Sequence, residues 1–514
     1  MDDIYDLFVI GGGVNGCGIA RDAAGRGLRV ALAEKGDLAG ATSSASTKLF
    51  HGGLRYLEYF EFRLVREALI EREHLLAAMP HIAWPMRFVL PLSRDMRFEG
   101  ETPTSRLLSR VMPWLKGRRP DWIIRMGLFL YDHMGGRKML PPTRSLSLAE
   151  DPAGDALQPQ FARAFEYSDV WVQDSRLVVL NARDAQARGA QIMVGTRVLS
   201  ARRADDLWVI ETDQGTYRAR ALVNAAGPWV RQVLGQTGVR SAARVRLVRG
   251  SHILVPRIAD HDRCYFLQGP DGRIIFAIPF EQDFTMIGTT DMDHEDPDTP
   301  PTLTGAERDY LLEFINRYLA KPLTENDIIH SFAGVRPLYD DGASAAQAAT
   351  RDYVLELDSD GAPLLSVFGG KITTYRKLAE HALEKLAPSF PRMSGAWTAR
   401  APLPGGDFPV AQAASRTDAL RADYPFLSAR DAQRMFRAYG TDASGILGDA
   451  KTRADLGRDF GAGLSEAELR WMVTHEFART TEDVLWRRSK LGLVMTPEQI
   501  EGVAKFLSER LAPA

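Results

Sequence analysis

The glycines that follow the first apolar run constrain the fold of this chain more than any other feature. A short strand is predicted over residues 4–10, and the sequence GGGVNG after it carries Gly11, Gly13, Asn15 and Gly16. Glycines at this G-x-G-x-x-G spacing let the backbone approach a pyrophosphate at the N-terminus of the next helix. A strand, a glycine turn and a helix in this order are typical of a dinucleotide-binding unit.

An acidic residue stands at the end of the second predicted strand. The helix predicted over residues 15–26 stops at Gly27, a common C-cap. The strand 28–33 then leads directly to Glu34 and Lys35. A carboxylate at this spacing accepts hydrogen bonds from the ribose of an adenosine half and repels a 2′-phosphate, whereas a solvated strand-end acid has neither role. We therefore predict FAD or NAD rather than NADP, with Glu34 and Lys35 beside the cofactor.

The stretch SSASTKLFHGGLRYLE, residues 43–58, combines hydroxyls, a lysine, a histidine and paired glycines. Its backbone amides can form a nest for a phosphate, and its hydroxyls can line the pyrophosphate and ribityl chain of a flavin. Helix capping by Ser or Thr is the alternative that needs no ligand. The cofactor contacts predicted here are Thr42, Ser43, Ser46, Lys48 and Gly52.

Two later segments repeat the pattern of a strand that ends in glycine. ALVNAAGPW predicts a strand over residues 221–226, and a buried strand over 364–368 leads into FGGKITTYRKLAEHAL, with a helix from about Thr373. A helix N-terminus aimed at the pyrimidine edge of a flavin would stabilise the anion formed on reduction. Val198, in the strand GTRVL, is placed against the adenine, although it can also be a plain strand valine. The other predicted contacts are Ala226, Gly227, Trp229, Gly370, Lys371, Thr373 and Thr374.

Motifs along nearly the whole chain resemble the FAD-dependent glycerol-3-phosphate dehydrogenases of respiratory chains. They are GGGVNGCGIARDAAGRGL, SSASTKLFHGGLRYLE, GVRPL, TRDY, FGGKITTYRKLAEHAL and HEFARTTEDVLWRRSKLGL. The resemblance implies noncovalent FAD, oxidation of sn-glycerol 3-phosphate to dihydroxyacetone phosphate, and electron transfer to a membrane quinone. Ala45 stands where that family often has arginine, and the stretch 99–119 looks longer than usual.

A phosphorylated alcohol needs cations for its phosphate, and the planar fork of arginine pairs with phosphate oxygens. Arg55, Arg336 and Arg351 are flanked by apolar, glycine or turn residues, which is unusual for arginines that are merely solvated. The resemblance maps all three onto the substrate pocket. Lys371 and Tyr56 are predicted to assist them. Clustered arginines can also lower the pKa of the alcohol, which places Arg336 among the catalytic groups as well.

Oxidation at C2 removes a proton from the hydroxyl and a hydride from the carbon. The flavin N5 takes the hydride, and a histidine is the natural base near neutral pH. His51 lies next to two glycines in the loop assigned to the flavin, and His252 lies in the strand-like run RGSHILVP. A lone strand histidine is usually structural. The sequence leaves both histidines as candidates.

The remaining pattern predicts the architecture. Residues 161–215 and 244–290 alternate in strand fashion, and the chain turns helical from about residue 404, after the linker PLPGGDFP. We predict an α/β fold: a Rossmann-like FAD-binding domain interleaved with a mixed-sheet substrate cap, plus a C-terminal helical domain that is structural or forms a dimer or partner surface. The predicted segments are FAD-binding 1–80, a basic and apolar excursion 81–150, interleaved FAD and cap segments 151–220 and 228–355, FAD-binding 356–390, and the helical domain 404–514.

Charge and apolar content favour attachment to a membrane surface. Two cysteines, Cys17 and Cys264, suit a reducing compartment, and no apolar run approaches the ~18 residues of a spanning helix. Residues 84–144 carry twelve Lys and Arg against five Asp and Glu, interleaved with Trp, Phe and Leu. Such a mixture binds anionic lipid, although it can also be a solvated excursion. We predict a peripheral, monotopic protein on the cytoplasmic face of the inner or plasma membrane.

Other functions fit parts of the pattern. A glycerol-3-phosphate oxidase that uses O2 differs only in the acceptor, and a flavin amino-acid oxidase or dehydrogenase needs cations for one carboxylate only. A non-catalytic FAD-binding scaffold is an alternative of a different class. The net charge of −2 and the lack of a nucleic-acid-binding motif argue against nucleic acid. A homo-oligomer, most simply a dimer, is expected.

Overall fold

A parallel sheet that begins with the first strand of the chain carries the glycine turns. The computed structural model describes residues 4–93, 96–98, 102–112, 114, 119–269, 272–340 and 352–511. The strands of this first sheet are β1 (Ile4–Ile10), β2 (Val30–Glu34), β7 (Gln191–Val194), β8 (Val198–Ala204), β9 (Leu207–Thr212), β10 (Gly215–Asn224), β17 (Val354–Asp358) and β18 (Leu364–Phe368). Their order is β17-β18-β10-β1-β2-β7, and β8 and β9 extend β10 as an antiparallel hairpin.

The parallel centre of this sheet consists of buried apolar strands. In β1, the side chains of Leu7, Phe8 and Val9 have no exposed surface, as expected for strands covered on both faces. The strands β1, β2, β10 and β18 run in the same direction. Their carboxyl ends, with the three glycine turns predicted from the sequence, therefore meet at one edge of the sheet.

A second, mixed sheet forms the cap. Its strands are β3 (Leu49–Phe50), β4 (Ala83–Pro91), β5 (Arg144–Ser147), β6 (Arg163–Val172), β11 (Val245–Pro256), β12 (Cys264–Gln268), β13 (Ile274–Phe280), β14 (Phe284–Gly288), β15 (Met292–Asp293) and β16 (His330–Tyr339). Their order is β15-β11-β14-β13-β12-β4-β6-β3, with β16 on β11 and β5 on β6. Because the segments of the two sheets alternate along the chain, the predicted interleaving of the FAD-binding fold with a mixed-sheet cap is confirmed.

Helices cover the sheets and build the C-terminal domain. They are α1 (Val14–Gly25), α2 (Phe62–Ala78), α3 (Pro103–Val111), α4 (Asp121–Met134), α5 (Asp174–Ala187), α6 (Val230–Thr237), α7 (Gly305–Asn316), α8 (Tyr375–Leu386), α9 (Ala413–Asp423), α10 (Ala429–Tyr439), α11 (Ala443–Leu447), α12 (Glu466–His475) and α13 (Pro497–Leu511). A π-helix, Asp483–Arg488, and a small hairpin of β19 (Asp459–Gly461) and β20 (Leu464–Ser465) complete that domain. The predicted C-terminal helical domain is confirmed.

One helix was not expected. Residues 161–215 are predicted as strands, but α5 lies inside this range and packs against α1. Leu177, Val178 and Leu180 are buried on α5 with no exposed surface. A short apolar run of this kind fits a buried strand and a buried helix equally well, and only its packing on α1 decides between them.

No helix in the described part of the chain is both long and apolar enough to cross a bilayer. The side chains of Cys17 and Cys264 are buried, and their sulfurs are free. Burial raises the pKa of the Cys17 thiol far above its ordinary value. Both cysteines therefore act as small core residues.

Candidate active site

One long cavity lies where the glycine turns face the cap. It has a volume of about 1010 Å³ and is lined by the ends of the parallel strands on one side and by cap strands on the other. Ile10, Glu34 and Ala225 line it from the first sheet, and Phe276 and Arg336 line it from the cap. The site is therefore built between the two sheets.

The first glycine turn leaves the backbone open to a ligand. A Cβ at Gly11 would lie 2.6 Å from the carbonyl oxygen of Ala225, and a Cβ at Gly16 would collide with the carbonyl oxygen of Gly11. The backbone amide of Val14, in the first turn of α1, donates to Ser43 Oγ at 3.0 Å. Gly13, the residue before α1, has no side chain and also lines the cavity. A helix N-terminus with this approach suits a pyrophosphate.

The carboxylate of Glu34 is hydrogen-bonded to the backbone on both sides of it. Its Oε2 accepts from the backbone amide of Gly12 at 2.7 Å, and its Oε1 accepts from the amide of Gly36 at 2.8 Å. Burial raises the pKa of its carboxyl, and the two amide hydrogen bonds oppose that effect. The carboxylate is therefore held in place at the end of β2, inside the cavity wall, where a ribose can reach it.

A cationic and an aromatic side chain, Lys35 and Trp229, line the cavity together. Lys35 Nζ lies 3.6 Å from the ring centroid of Trp229. The indole nitrogen of Trp229 donates to Asp298 Oδ1 at 2.6 Å. Val198, Ala226 and Gly227 also line this part of the cavity.

Several residues of the stretch 42–48 line the cavity but use their polar atoms within the protein. Lys48 Nζ lies 2.8 Å from Asp174 Oδ1, and Ser46 Oγ donates to Asp174 Oδ2 at 2.7 Å. Thr42 Oγ1 donates to the carbonyl of Val335. This stretch is therefore anchored on α5 and β16. Its backbone, rather than its Ser46 and Lys48 side chains, is what it offers to a cofactor.

Four of the predicted cofactor residues are buried and do not line the cavity. They are Gly16, Gly52, Thr373 and Thr374. The Gly52 amide donates to Tyr131 Oη at 2.7 Å. In contrast to these four residues, Asn15, Gly370 and Lys371 line the cavity.

Cationic and aromatic side chains also line the cavity. They include Arg55, Tyr56, Lys371 and His51. Lys371 Nζ lies 3.9 Å from the ring centroid of Tyr56. Residues 51–56 follow β3, whereas Lys371 follows β18, so the fold brings together groups that lie far apart in the sequence.

Arg336 reaches the same space from the cap strand β16. Its Nη2 donates to the carbonyl of Thr290 at 2.9 Å and to Asp291 Oδ1 at 2.5 Å. A Cβ at Gly250, on the neighbouring strand β11, would lie 2.7 Å from that Nη2. The absence of a side chain at residue 250 therefore makes room for the guanidinium.

His252 lies on the same face of β11, two residues beyond Gly250. Its Nε2 lies 3.1 Å from Thr47 Oγ1, and its ring stacks on Phe332 with centroids 4.8 Å apart. Burial, followed by the charges of Lys48 and Arg336, lowers its pKa to about 3. The imidazole is therefore neutral at physiological pH.

Not every predicted group can be placed, and some lining groups were not expected. Arg351 lies outside the described residues. Phe266 of β12, Phe276 of β13 and Arg273, which directly precedes β13, also line the cavity. Nothing in the sequence indicated which way their side chains would face.

Ala45 shows a tight contact between the two halves of the site. A Cβ at Gly334 of β16 would lie 2.6 Å from the Cβ of Ala45. Small residues on both sides therefore let the stretch 42–48 pack directly on the cap strand. A larger side chain directed toward β16 at residue 45 would separate them.

Comparisons with known proteins agree with this geometry. Residues 6–376 match the family described as FAD dependent oxidoreductase, and residues 396–512 match the C-terminal domain of alpha-glycerophosphate oxidase. The close glycine turn, the held carboxylate of Glu34 and the cavity volume of about 1010 Å³ fit FAD. The chain is thus an FAD-dependent oxidoreductase.

Relatives that match almost the full length of this chain identify the family more specifically. The aerobic glycerol-3-phosphate dehydrogenase of Escherichia coli (strain K12) is 47% identical over 98% of this chain and 97% of its own. D-erythritol 1-phosphate dehydrogenase of Brucella abortus (strain 2308) is 50% identical over 96% and 95%. The crystal structure of glycerol-3-phosphate dehydrogenase from Bacillus halodurans complexed with FAD superimposes with a TM-score of 0.74, at 25% identity, over 99% and 91%. The chain belongs to the family of FAD-dependent glycerol-3-phosphate dehydrogenases.

Proposed function

We propose that this enzyme oxidises sn-glycerol 3-phosphate to dihydroxyacetone phosphate and passes the electrons to a membrane quinone. The observation that carries the proposal is that Arg55, Arg336 and Lys371 line the same cavity as His51 and His252. A phosphate monoester brings close to two negative charges to the site, so several cations suit it better than they suit a single carboxylate. Arg351 belongs to the same proposal from its sequence motif.

The cations hold and orient the substrate. Arginine can bind phosphate oxygens with two parallel N–H groups, and Lys371 adds a point charge beside Tyr56. Arg336 is itself held by the Thr290 carbonyl and by Asp291, which limits its motion. A phosphate fixed in this way brings the C2 hydroxyl to a constant position, which is how binding contributes to rate.

A histidine removes the hydroxyl proton. Bound FAD supplies the hydride acceptor, flavin N5, for the hydrogen on C2. His252 is neutral, and its Nε2 lies next to Thr47 Oγ1, which can fix the tautomer. His51 is less buried and follows directly after β3. Both histidines stay candidates for the base, and Arg336 can stabilise the alkoxide that forms.

The Brucella relative supports a second candidate substrate. D-erythritol 1-phosphate also carries a phosphate monoester and a secondary alcohol, and it is one carbon longer than glycerol 3-phosphate. The cations proposed to bind the phosphate and the proposed histidine base could act on either molecule. The choice between the two substrates therefore depends on the part of the cavity that contacts the substrate carbons farthest from the phosphate.

We propose that the enzyme binds to a membrane surface and reaches its quinone there. Large apolar side chains are exposed together on α3, α4 and the neighbouring segments, and we call this set the apolar face: Phe60, Phe62, Leu107, Val111, Trp114, Trp122, Met126, Phe129 and Leu130. Trp114 is 71% exposed and Phe129 is 60% exposed, too much apolar surface to leave in water without a function.

The surroundings of the apolar face suit anionic lipid. Exposed arginines lie on the same elements, namely Arg63, Arg66, Arg106, Arg110 and Arg125. On α4, Ile123, Ile124 and Leu128 are buried while Trp122 and Met126 point outward, the arrangement of an interfacial helix. The FAD cavity is also lined by Tyr59, Glu61 and Arg63, next to Phe60 and Phe62. A quinone in the bilayer would thus be close to the cavity.

Anaerobic reduction of the flavin tests the chemistry. Glycerol 3-phosphate added to the yellow holoenzyme without oxygen should bleach it, whereas glycerol and a panel of amino acids should not. Ratios of kcat/KM for glycerol 3-phosphate and D-erythritol 1-phosphate decide the substrate. Turnover with a soluble quinone, compared with peroxide formation in air, decides the acceptor. A flavin that stays yellow with both phosphates would contradict the proposal.

The predicted dimer belongs to the same proposal. Analytical ultracentrifugation of the detergent-free holoenzyme should give twice the mass of one chain.

A further inference from the structure

The C-terminal domain reaches the FAD cavity through its π-helix. Among the described residues beyond 376, Glu482 and Arg487 line the cavity. Both lie at the π-helix Asp483–Arg488, which packs against α5. The C-terminal domain therefore contributes residues to the wall of the FAD cavity.

Asp37 joins the two parts of the molecule. It lies in the loop after Glu34 and accepts hydrogen bonds from two arginines of the π-helix. Its Oδ1 lies 2.7 Å from Arg488 Nη2, and its Oδ2 lies 2.5 Å from both Arg488 Nη1 and Arg487 Nε. The Asp37 side chain is 8% exposed and that of Arg488 is fully buried. A shielded bidentate pair of this kind restricts both partners far more than a surface ion pair does.

The loop that Asp37 holds is itself part of the cofactor site. Gly36, Asp37, Ala39 and Gly40 line the cavity. The Gly36 amide donates to Glu34, and the Ala39 amide donates to the carbonyl of Gly12 at 3.0 Å. Displacement of Asp37 would therefore disturb the carboxylate and the glycine turn that face the dinucleotide.

The π-helix also supports the second cofactor loop. Asp174, at the start of α5, holds Ser46 and Lys48. The next residue, Ser175, lies 3.5 Å from Lys490 Nζ, and Lys490 also donates to the carbonyl of Trp486. One C-terminal segment thus braces the loop 35–41 through Asp37 and the stretch 42–48 through α5.

We propose that the π-helix is a latch on the FAD site: Arg487 and Arg488 hold Asp37 so that the loop 35–41 stays closed over the cofactor. The C-terminal domain then sets how slowly FAD dissociates. Asp37, Arg487 and Arg488 are positioning residues, because they act through the loop. The inference needs only FAD and is independent of which alcohol the enzyme oxidises.

FAD release from the full-length holoenzyme tests the latch. The variants are Asp37→Asn, which removes the charge at little change in volume, Arg487→Gln, which removes the charge and shortens the side chain, and Asp37→Glu, which keeps the carboxylate. The control is Asp442→Asn, because Asp442 forms another ion pair between the C-terminal domain and α5, with Arg183 at 2.9 Å, and does not line the cavity. The rate is read from the rise in flavin fluorescence as FAD leaves, with the unfolding temperature recorded for each protein.

We expect Asp37→Asn and Arg487→Gln to release FAD at least about tenfold faster than the parent at a temperature where circular dichroism shows an intact fold. Asp37→Glu should recover most of the retention, and Asp442→Asn should release FAD at the parental rate. If Asp37→Asn does not fold, Arg487→Gln and Arg487→Lys answer the question, since Arg487 is partly exposed. Parental release rates in the Arg487 variants, or equally fast release from Asp442→Asn, would overturn the proposal.

Discussion

The guanidinium of Arg336 fills the space in front of Gly250: a Cβ at Gly250 would lie 2.7 Å from Arg336 Nη2 and 2.6 Å from Thr289 Oγ1. The two residues lie diagonally across the ladder between β11 and β16, where Gly250 faces Gly334 and Arg336 faces Val248. The position of the Arg336 guanidinium in the cavity thus depends on the absence of a side chain at Gly250 on the neighbouring strand.

Gly250→Ala should therefore damage substrate binding. The added methyl group displaces Arg336, and we expect kcat/KM for glycerol 3-phosphate to fall by roughly 10- to 100-fold, the scale of a lost charged hydrogen bond. FAD content should stay at the parental level. Steady-state kinetics measure the effect, and Gly235→Ala, whose added Cβ meets nothing within 4 Å, is the control. Unchanged kinetics in Gly250→Ala would contradict a substrate role for Arg336.

The base can be identified by mutation. His51→Ala and His252→Ala should each leave FAD bound, and at least one should slow flavin reduction by about 100-fold or more, as expected for a lost general base. Stopped-flow absorbance under anaerobic conditions measures the rate. Parental rates in both variants would exclude a histidine base.

The pH profile then assigns the role. A base must be neutral, so the rate falls as pH falls through its pKa in the folded enzyme. Because the pKa of His252 is lowered to about 3, reduction that depends on His252 should be flat between about pH 8 and pH 5. A decline within that range would show that a group other than His252 controls the rate.

Glu34 should govern cofactor affinity. Glu34→Gln keeps the size of the side chain but removes the charge that accepts from the amides of Gly12 and Gly36. We expect FAD to bind about tenfold more weakly or worse, since charged hydrogen bonds contribute ~1.5–3 kcal/mol. Titration of apoprotein with FAD measures it, and Glu313→Gln on the exposed side of α7 serves as control. Equal affinity in the Glu34 variant would exclude the ribose role.

Stability should decrease in mild acid because of buried neutral histidines. His81 is fully buried, and burial, followed by the charges of Arg176, Arg183 and Arg437, lowers its pKa well below the ordinary value. The unfolded chain therefore takes up a proton below about pH 6.5 that the folded chain does not. The free energy of unfolding should fall by up to ~1.4 kcal/mol per pH unit there, and this effect is absent above pH 7.

Urea denaturation between pH 7.5 and pH 5 measures that slope. His81→Leu should make the slope shallower, because the substituted residue cannot take up a proton in either state. An identical slope in parent and variant would show that His81 does not contribute.

Charge placed on the apolar face should release the protein from membranes. The double variant Met126→Glu with Phe129→Glu should lose most of its binding to vesicles that contain phosphatidylglycerol, because both side chains are exposed on α4. Sedimentation with vesicles measures binding, and added salt should weaken it in the parent. Leu199→Glu, on an exposed site of β8, is the control. Equal binding by all three proteins would exclude this face.

Local patterns in the sequence determined much of the architecture. Glycine spacing after β1, the acid at the end of β2 and the buried strand before Gly369 are backbone requirements that act over a few residues, so they can be read from the chain. The helix α5 could not be read in this way, because Leu177 and its neighbours fit a buried strand as well as a buried helix.

Only the tertiary structure decided which side chains meet. Asp37 and Arg488 are separated by 451 residues, and their pairing follows from the packing of the C-terminal domain on α5. The Lys48 side chain, predicted as a cofactor ligand, turns to Asp174, while the unexpected Arg273 lines the cavity. The sequence determined the FAD-type turn and the strands by short-range backbone rules. Convergence of distant charges depends on how whole sheets and domains pack, and no local pattern records that.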